Sequence, residues 1–536
     1  MLAQWDDSHY ISKFQPGSQA RHKRRRATAA GEPRAAEALI EACSWGRLDL
    51  AKDLLRHGAD PSASDYLLVD WSEILGREGS GPRGGPEKSI RTYRIFSRVK
   101  MTPMMAAGLW GREDILDFLA NVADVNQLLD DDGYAFARVP GSTENLGRAM
   151  SFAAVGGWSG CVEKLLALGA FPWNIEGDGG MVEPLEAAVI FGSVDNCSRL
   201  AEEIAALDNG SRCGLGGGLA LAASRGRLDL MGAIAKHGKG SWAEASPFLA
   251  MMAVEGGVGA VLAAESLAPG LARASRDEAG NTPLMRAAFM LATEKSSDVA
   301  RALLPFSDPL ATNAMGATAL LTALSHSHHG AVEALWDVSD KGARLSKGGE
   351  GLLAVACMAP DPDPSWILRI IQEDPVQLNR KSKDGYSPLA SAVLHGNEAA
   401  ALALLSSGAD AAARGPGGDT VLHMAVERGA SQAMLAALLS VCDANLQNDD
   451  GMTPLMKLLL SDCCEGFELV AHKSAMSVTN NKGMTAFNMA EDLEFEWGEA
   501  SHGSFTNLLR ALSESEALAG MDFQDKPAGR RKSASL

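Results

Sequence analysis

The amino-acid sequence predicts an all-α solenoid, a stack of about thirteen helix–turn–helix repeats. A five-residue motif, Gly–x–Thr/Ser followed by Pro or a small residue and then an apolar residue, recurs every 32 to 36 residues. The chain has 536 residues, of which 46% are hydrophobic but only 6% aromatic, as suits short helices packed through small side chains. A single hydrophobic core stops growing at about 250–300 residues, whereas each repeat of a solenoid packs only on its neighbours.

Within each repeat, the motif marks the start of the first helix. Its Thr or Ser is expected to cap the helix by accepting backbone N–H bonds, and Pro fits the first turn because its missing donor would be unpaired anyway. A glycine in mid-repeat ends this helix, since a positive φ costs glycine little. The motif stands at Gly280–Leu284, Gly316–Leu320, Gly385–Leu389, Gly418–Leu422, Gly451–Leu455 and Gly483–Phe487.

This motif resembles that of the ankyrin-repeat family, and the resemblance covers roughly residues 35–518. It implies that each repeat has a β-hairpin finger, an inner helix that begins at the motif, and an outer helix after a glycine turn. The first repeat closes with Leu54 to Asp60, similar to the family's Leu-Leu-x-x-Gly-Ala-Asp ending. Three repeats between about residues 183 and 280 keep the helical spacing but lose much of the consensus, and a last one resembles a C-terminal cap.

We expect three segments along the chain: a disordered basic tail at 1–34, the solenoid at 35–520, and a disordered basic tail at 521–536. The N-terminal tail carries seven Lys/Arg and three acidic residues, and the C-terminal tail carries four and two. Because the whole chain has a net charge of −18, the part between the tails has a net charge of −24. An acidic body disfavours nucleic acid and anionic membranes and favours a basic protein partner. The oligomeric state stays open.

Two insertions, at 65–99 and 128–147, interrupt the repeat period. The first contains strand-like runs at 66–71 and 90–99 around a Gly-rich stretch that does not fit a regular element. It is expected to form an elongated finger with a mobile tip, and a disordered surface loop is the alternative. Insertions in solenoids lie on one face, which is often the binding face.

The compartment is predicted from cysteines and targeting signals. The eight cysteines show no CxxC or Cys/His metal spacing, which indicates free thiols in a reducing compartment. No signal peptide or apolar run long enough to span a bilayer is expected, so a cytoplasmic location is predicted. The basic run Arg21–Arg26 is typical of a nuclear address or of a solvated tail, and both interpretations remain open.

Fragments similar to catalytic or metal motifs lack essential residues. Gly214–Leu219 has Leu where a dinucleotide loop requires its last glycine, and Asp130–Gly133 has no carboxylate at the first ligand position of a calcium loop. His326–His329 is predicted to be an exposed turn and not a metal site. In the family, the histidine corresponding to His423 is structural. No nucleophile has a suitable context, so neither catalysis nor a cofactor is expected.

Partner-binding candidates come from one position of the repeat. The family resemblance implies that the residue before the mid-repeat glycine lies at the exposed end of the inner helix, on the concave face. Aromatic anchors dominate the energetics of interfaces. The alternative is that Trp45 and Trp110 stack on each other or on the long finger and cover the core. The candidates are Trp45, Trp110, Phe191 and Arg225, together with Tyr93 and Phe96 in the first insertion.

The sequence therefore predicts a non-catalytic scaffold or adaptor that binds a protein through its concave face and fingers. The alternative is a targeting subunit that delivers a separate enzyme, such as a ubiquitin ligase or phosphatase, to its substrate. An enzyme hidden in residues 183–280 is a third hypothesis. Thr28 and Ser533 follow basic residues and resemble sites of basophilic kinases, where a phosphate would cancel local positive charge.

Overall fold

The described residues are mostly helical, which agrees with the all-α expectation. The computed structural model describes residues 33–71, 96–129, 146–173, 182–207, 213–238, 242–290, 294–461, 466–497 and 506–515. These residues group into two compact units, one that ends at Leu249 and one that begins at Ala250. Thr28, Tyr93 and Ser533 lie outside the described residues, as does most of the second insertion.

The first unit is a succession of short helices interrupted by one β-hairpin. Its elements are α1 (Pro33–Ser44), α2 (Leu48–Arg56), β1 (Asp65–Asp70), β2 (Phe96–Met101), α3 (Pro103–Leu109), α4 (Glu113–Leu119), α5 (Ala149–Gly156), α6 (Ser159–Ala167), α7 (Pro184–Phe191), α8 (Val194–Leu207), α9 (Cys213–Ser224), α10 (Leu228–Ala235) and α11 (Trp242–Ala245).

The second unit continues with helices and three short 3-10 turns. Its helices are α12 (Leu249–Gly256), α13 (Val258–Leu267), α14 (Leu271–Ala274), α15 (Pro283–Phe289), α16 (Glu294–Leu303), α17 (Ala319–Ser325), α18 (His329–Leu335), α19 (Leu352–Met358), α20 (Pro364–Glu373), α21 (Pro388–Leu394), α22 (Glu398–Ser406), α23 (Val421–Glu427), α24 (Gln432–Leu439), α25 (Pro454–Leu460), α26 (Phe467–Ala471) and α27 (Ala486–Trp497). The 3-10 turns are Leu304–Phe306, Pro375–Asn379 and Pro416–Gly418, and residues 506–515 are helical.

In both units, each inner helix packs on the inner helix of the next pair. In the first unit the inner row is α1, α3, α5, α7 and α9, and the outer helices α4, α6, α8 and α10 pack in the same order. The inner row of the second unit runs from α15 through α17, α19, α21, α23 and α25 to α27. The pairs α7–α8 and α9–α10, where the consensus is weak, thus keep the helical spacing that the sequence predicts.

The inner helices begin where the motif predicts, and for the predicted reason. Thr282 Oγ1 accepts the backbone N–H of Met285 at 3.1 Å, and Ser387 Oγ accepts that of Ala390 at 3.2 Å. Pro283 occupies the first turn after its cap. The motif therefore fixes these helix starts by local hydrogen bonding alone.

His423 has the structural role that the family resemblance implies. Its ring is fully buried, and Nδ1 accepts the backbone N–H of Thr420 at 3.1 Å. Nε2 lies 2.8 Å from the carbonyl oxygen of Met452 in the next finger, so it carries the proton and donates it. His423 thus links the start of α23 to the following repeat and is not available as a general base.

The fingers of the second unit are joined by backbone hydrogen bonds from one finger to the one before it. Pro416 has no N–H at the equivalent position, and there Lys381 Nζ donates instead to the carbonyl of Arg414 at 2.6 Å. The N–H to carbonyl pairs are Ala314 to Ala279 (3.0 Å), Ser346 to Met315 (2.7 Å), Lys383 to Gly348 (2.7 Å), Asp449 to Gly417 (3.0 Å) and Asn481 to Asp450 (3.1 Å).

The first insertion forms a hairpin, as predicted, but its base packs inward. β1 and β2 pair antiparallel, from Asp65 opposite Met101 to Asp70 opposite Phe96. β1 packs against α1 and β2 against α3. The base of the expected elongated finger thus lies against the inner helices, where Val69, Val99 and Met101 are fully buried.

The predicted exposure of Phe191 is wrong. Its ring is fully buried, and its centroid lies 6.1 Å from that of Trp71, which follows β1 and is itself fully buried. The helix position alone would leave Phe191 at an exposed end, but the insertion covers it. Phe96, the first residue of β2, is placed by its backbone as part of this hairpin.

Candidate functional site

The turn between α1 and α2 exposes a tryptophan on an ordered backbone. Trp45 is 62% exposed, and its N–H donates to the carbonyl of Glu41 at 3.0 Å. Gly46 follows with a φ of 71°, a conformation that favours glycine. The turn is thus fixed while the indole projects into solvent.

Trp110 occupies the corresponding place after α3. Its N–H donates to the carbonyl of Ala106 at 3.2 Å, and its side chain is half-buried. Within the described ranges, no aromatic ring pairs with Trp45 or Trp110. The alternative that these two indoles stack on each other is therefore not supported.

The third tryptophan, Trp158, lies at the turn between α5 and α6 and is 38% exposed. Its Nε1–H donates to the carbonyl of Leu109 at 3.2 Å, and its ring covers Gly111 so closely that a Cβ there would lie 2.5 Å from it. We call Trp45, Trp110 and Trp158 the tryptophan row, because they lie at three successive helix-pair turns of the first unit.

Sequence reasoning missed Trp158, because it examined the residue before the mid-repeat glycine and found Gly156 there. Trp158 follows the glycine instead. At that position, side chains of several repeats donate to carbonyls at the end of the preceding inner helix, and we call these side chains turn donors. Besides Trp158 they are Arg112 (Nε to Ser44, 3.0 Å), Arg227 (Nη2 to Gly192, 3.3 Å) and Asn397 (Nδ2 to Cys357, 2.6 Å, and Ala359, 2.8 Å).

Arg225, a predicted partner-binding residue, is partly engaged within the protein. Its side chain is half-buried, and Nη1 donates to the carbonyl of Ile190 at 3.4 Å. Burial, and secondly the charge of Arg227, lower the pKa of the Arg225 guanidinium. Its contacts are therefore those of a turn-stabilising residue as much as those of an exposed anchor.

The second unit exposes another aromatic side chain that sequence reasoning missed. Phe289, the last residue of α15, is 57% exposed, and His326 contacts it edge-on with ring centroids 4.6 Å apart. The sequence contained a signal for Phe289, because it is an aromatic residue at the end of an inner helix. It lies one position earlier in its repeat than Trp45 and Trp110 do in theirs.

The histidine turn at His326–His329 has no metal-site geometry. Nδ1 of His329 lies 3.3 Å from a carboxylate oxygen of Asp363, whereas His328 is buried, and its burial lowers its pKa. In the described part of the chain, no group of three or more His, Cys, Asp or Glu side chains could hold a metal ion. The cleft beside this turn, which Ser327 and Trp366 help to line, is shallow.

Described cysteines are unpaired thiols and poor nucleophiles. Cys43 is buried, and burial raises its pKa to about 12, so its thiol is protonated at neutral pH. Burial also raises the pKa of Cys442, which is half-buried, to about 11. Among the helices that the structure describes, none is both long and apolar enough to cross a membrane.

Comparison with known protein families identifies one of the helix pairs. The model of the ankyrin repeat matches residues 38–66, a range that includes most of α1, all of α2, Trp45 and the start of β1. A comparison with curated proteins found no match. On the strength of the family match, the helix pair that carries Trp45 is an ankyrin repeat.

Proposed function

We propose that this chain is a non-catalytic scaffold that recognises a protein partner, and that the tryptophan row is part of its binding surface. Ankyrin repeats are protein-interaction modules, and the matched repeat contains Trp45. We further propose that the helix pairs are about thirteen ankyrin-like repeats of one solenoid over residues 35–520, with basic tails at 1–34 and 521–536.

The exposure of Trp45 is the observation that carries this proposal. An indole that is 62% exposed leaves a large apolar surface in water, and backbone hydrogen bonds fix the turn that carries it. A turn that is already ordered loses little backbone entropy when it binds, so more of the burial of the indole contributes to affinity. Truncation of such an anchor costs about 2 kcal/mol, which corresponds to a roughly 30-fold weaker Kd.

The charge of the chain supports a basic partner. The part between the tails has a net charge of −24, which would speed encounter with a positively charged protein and oppose binding of nucleic acid. We place the protein in the cytoplasm, with Arg21–Arg26 as a route to the nucleus. Thr28 and Ser533 are proposed kinase sites, and Tyr93 and Phe96 are further partner-binding candidates.

The test begins with the full chain as bait in a native extract, followed by titration of the purified partner by calorimetry. Trp45→Ala is expected to weaken binding by at least tenfold with an unchanged circular dichroism melt. Val122→Ala is the matched control, since Val122 is also an exposed apolar side chain of the first unit but lies outside the row. Equal affinity of the two variants would remove the tryptophan row from the binding surface.

A further inference from the structure

One face of the hairpin of the first unit is apolar and buried. Val69 of β1 and Trp71, which directly follows the strand, are fully buried, whereas Leu68 is 41% exposed. On the same face of β2, Val99, which pairs with Leu67, and Met101, which pairs with Asp65, are also buried. Because side chains of a strand alternate between two faces, the buried face is an apolar surface that packs on the inner helices.

This buried face extends over several helix pairs. β1 packs against α1, whereas Trp71 contacts Phe191 at the end of α7, with α3 and α5 between these two helices in the inner row. The six residues of β1 span roughly 20 Å, and packed helices lie about 8–10 Å apart. The strand therefore lies along the inner row as an extended peptide would.

The helices of the inner row also pack directly on one another. α3 packs on α5 and α5 on α7. The turn donors Arg112 and Trp158 join their turns through hydrogen bonds that involve no hairpin residue. A two-stranded hairpin, in contrast, is marginally stable by itself and depends on the surface it covers.

We propose that the inner row of the first unit is a groove for an extended peptide, and that β1 with Trp71 is its built-in occupant. The partner is a protein segment in extended conformation with apolar side chains at alternate positions and a large aromatic side chain that replaces Trp71 beside Phe191. The proposal rests on the packing of the hairpin and holds whether or not the tryptophan row binds a protein.

The probe is a fluorescein-labelled peptide with the sequence of residues 65–71, Asp-Tyr-Leu-Leu-Val-Asp-Trp, titrated with the full chain by fluorescence anisotropy. Trp71→Ala is expected to bind the probe at least tenfold more tightly than the wild type, because it removes the competing indole. Leu68→Ala, on the exposed face of the same strand, should behave like the wild type. Addition of Phe191→Ala to Trp71→Ala should abolish the gain.

Equal affinity of the wild type and Trp71→Ala for the probe would overturn the proposal, as would equal binding of a probe whose Trp is replaced by Ala. If Trp71→Ala does not fold, hydrogen exchange of the wild type decides. Amides of residues 65–71 should exchange at least tenfold faster than those of α5 if the hairpin opens separately, and exchange at the same rate would overturn the proposal. Trp45→Ala should leave probe binding unchanged, so this test and that of the tryptophan row fail independently.

Discussion

The turn donors make a quantitative prediction about stability, and Asn397 allows the clearest test. Its Nδ2 donates two hydrogen bonds, to the carbonyls of Cys357 at 2.6 Å and Ala359 at 2.8 Å, on either side of the last residue of α19. Asn397→Ala removes both bonds and adds no volume. It therefore measures what one repeat gains from the side chain that the next repeat supplies.

The expected cost follows from the burial of the lost contacts. A buried acceptor left without a partner costs about 1–3 kcal/mol. The Asn397 side chain is half-buried, so water can replace part of what is lost at the two carbonyls. We expect a loss of about 2 kcal/mol, which corresponds to a roughly 30-fold increase in the population of the locally open state.

Asn121→Ala is the matched control. Asn121 Nδ2 donates to the carbonyl of Asp117 at 2.8 Å, but this bond is exposed and connects residues only four apart. Substitutions at exposed sites usually change stability by less than about 0.5 kcal/mol, or roughly twofold in the open population. The same chemical change thus tests a bond between repeats against a bond within one.

Hydrogen exchange with mass spectrometry is the appropriate assay, because repeat arrays need not unfold in one step and a single melting temperature would mix several events. Amides of α19 should exchange roughly 30-fold faster in Asn397→Ala. In Asn121→Ala, the exchange of α4 should change about twofold at most. An increase of less than threefold at α19 would refute the view that turn donors stabilise the preceding repeat.

Two further predictions concern a histidine and a pair of glycines. Burial lowers the pKa of His423, so the unfolded state binds a proton at higher pH than the folded state does. The urea midpoint of unfolding should therefore fall as the pH drops below 6.5, the ordinary pKa of histidine. It should fall less steeply in His423→Gln. Gly111→Ala should lower the free energy of unfolding by about 2–5 kcal/mol, because the cost of a positive φ and the cost of a clash with the Trp158 ring add up. Gly157→Ala should lower it by about 1–2 kcal/mol, because Gly157 has a φ of 74° but nothing within 4 Å of the added Cβ. Similar losses of unfolding free energy in the two alanine variants would contradict the contact with Trp158.

The helix starts could be predicted from the sequence because the forces that set them are local. Thr282 and Ser387 cap their own helices through hydrogen bonds that span three residues. The same holds for His423 and Thr420. Such contacts need no knowledge of the rest of the chain, and the motif therefore identified them correctly.

The candidate site could be predicted only in part, because exposure depends on distant segments. Trp45 is exposed at its turn as expected, but Phe191 is covered by Trp71, which is 120 residues away in an insertion with no counterpart in the repeat. A position within a repeat indicates which way a side chain points from its helix. It does not indicate what else lies there.

The turn donors also have a consequence for synthesis on the ribosome. Each donor follows its acceptor along the chain, by 68 residues for Arg112 and Ser44, 49 for Trp158 and Leu109, and 35 for Arg227 and Gly192. At about 5–20 residues per second, a newly made helix pair waits roughly 2 to 14 seconds before the side chain that completes its turn has been translated. Co-translational folding of this protein should therefore lag one repeat behind elongation. Slow codons should disturb this folding least when they directly follow the codon of a turn donor.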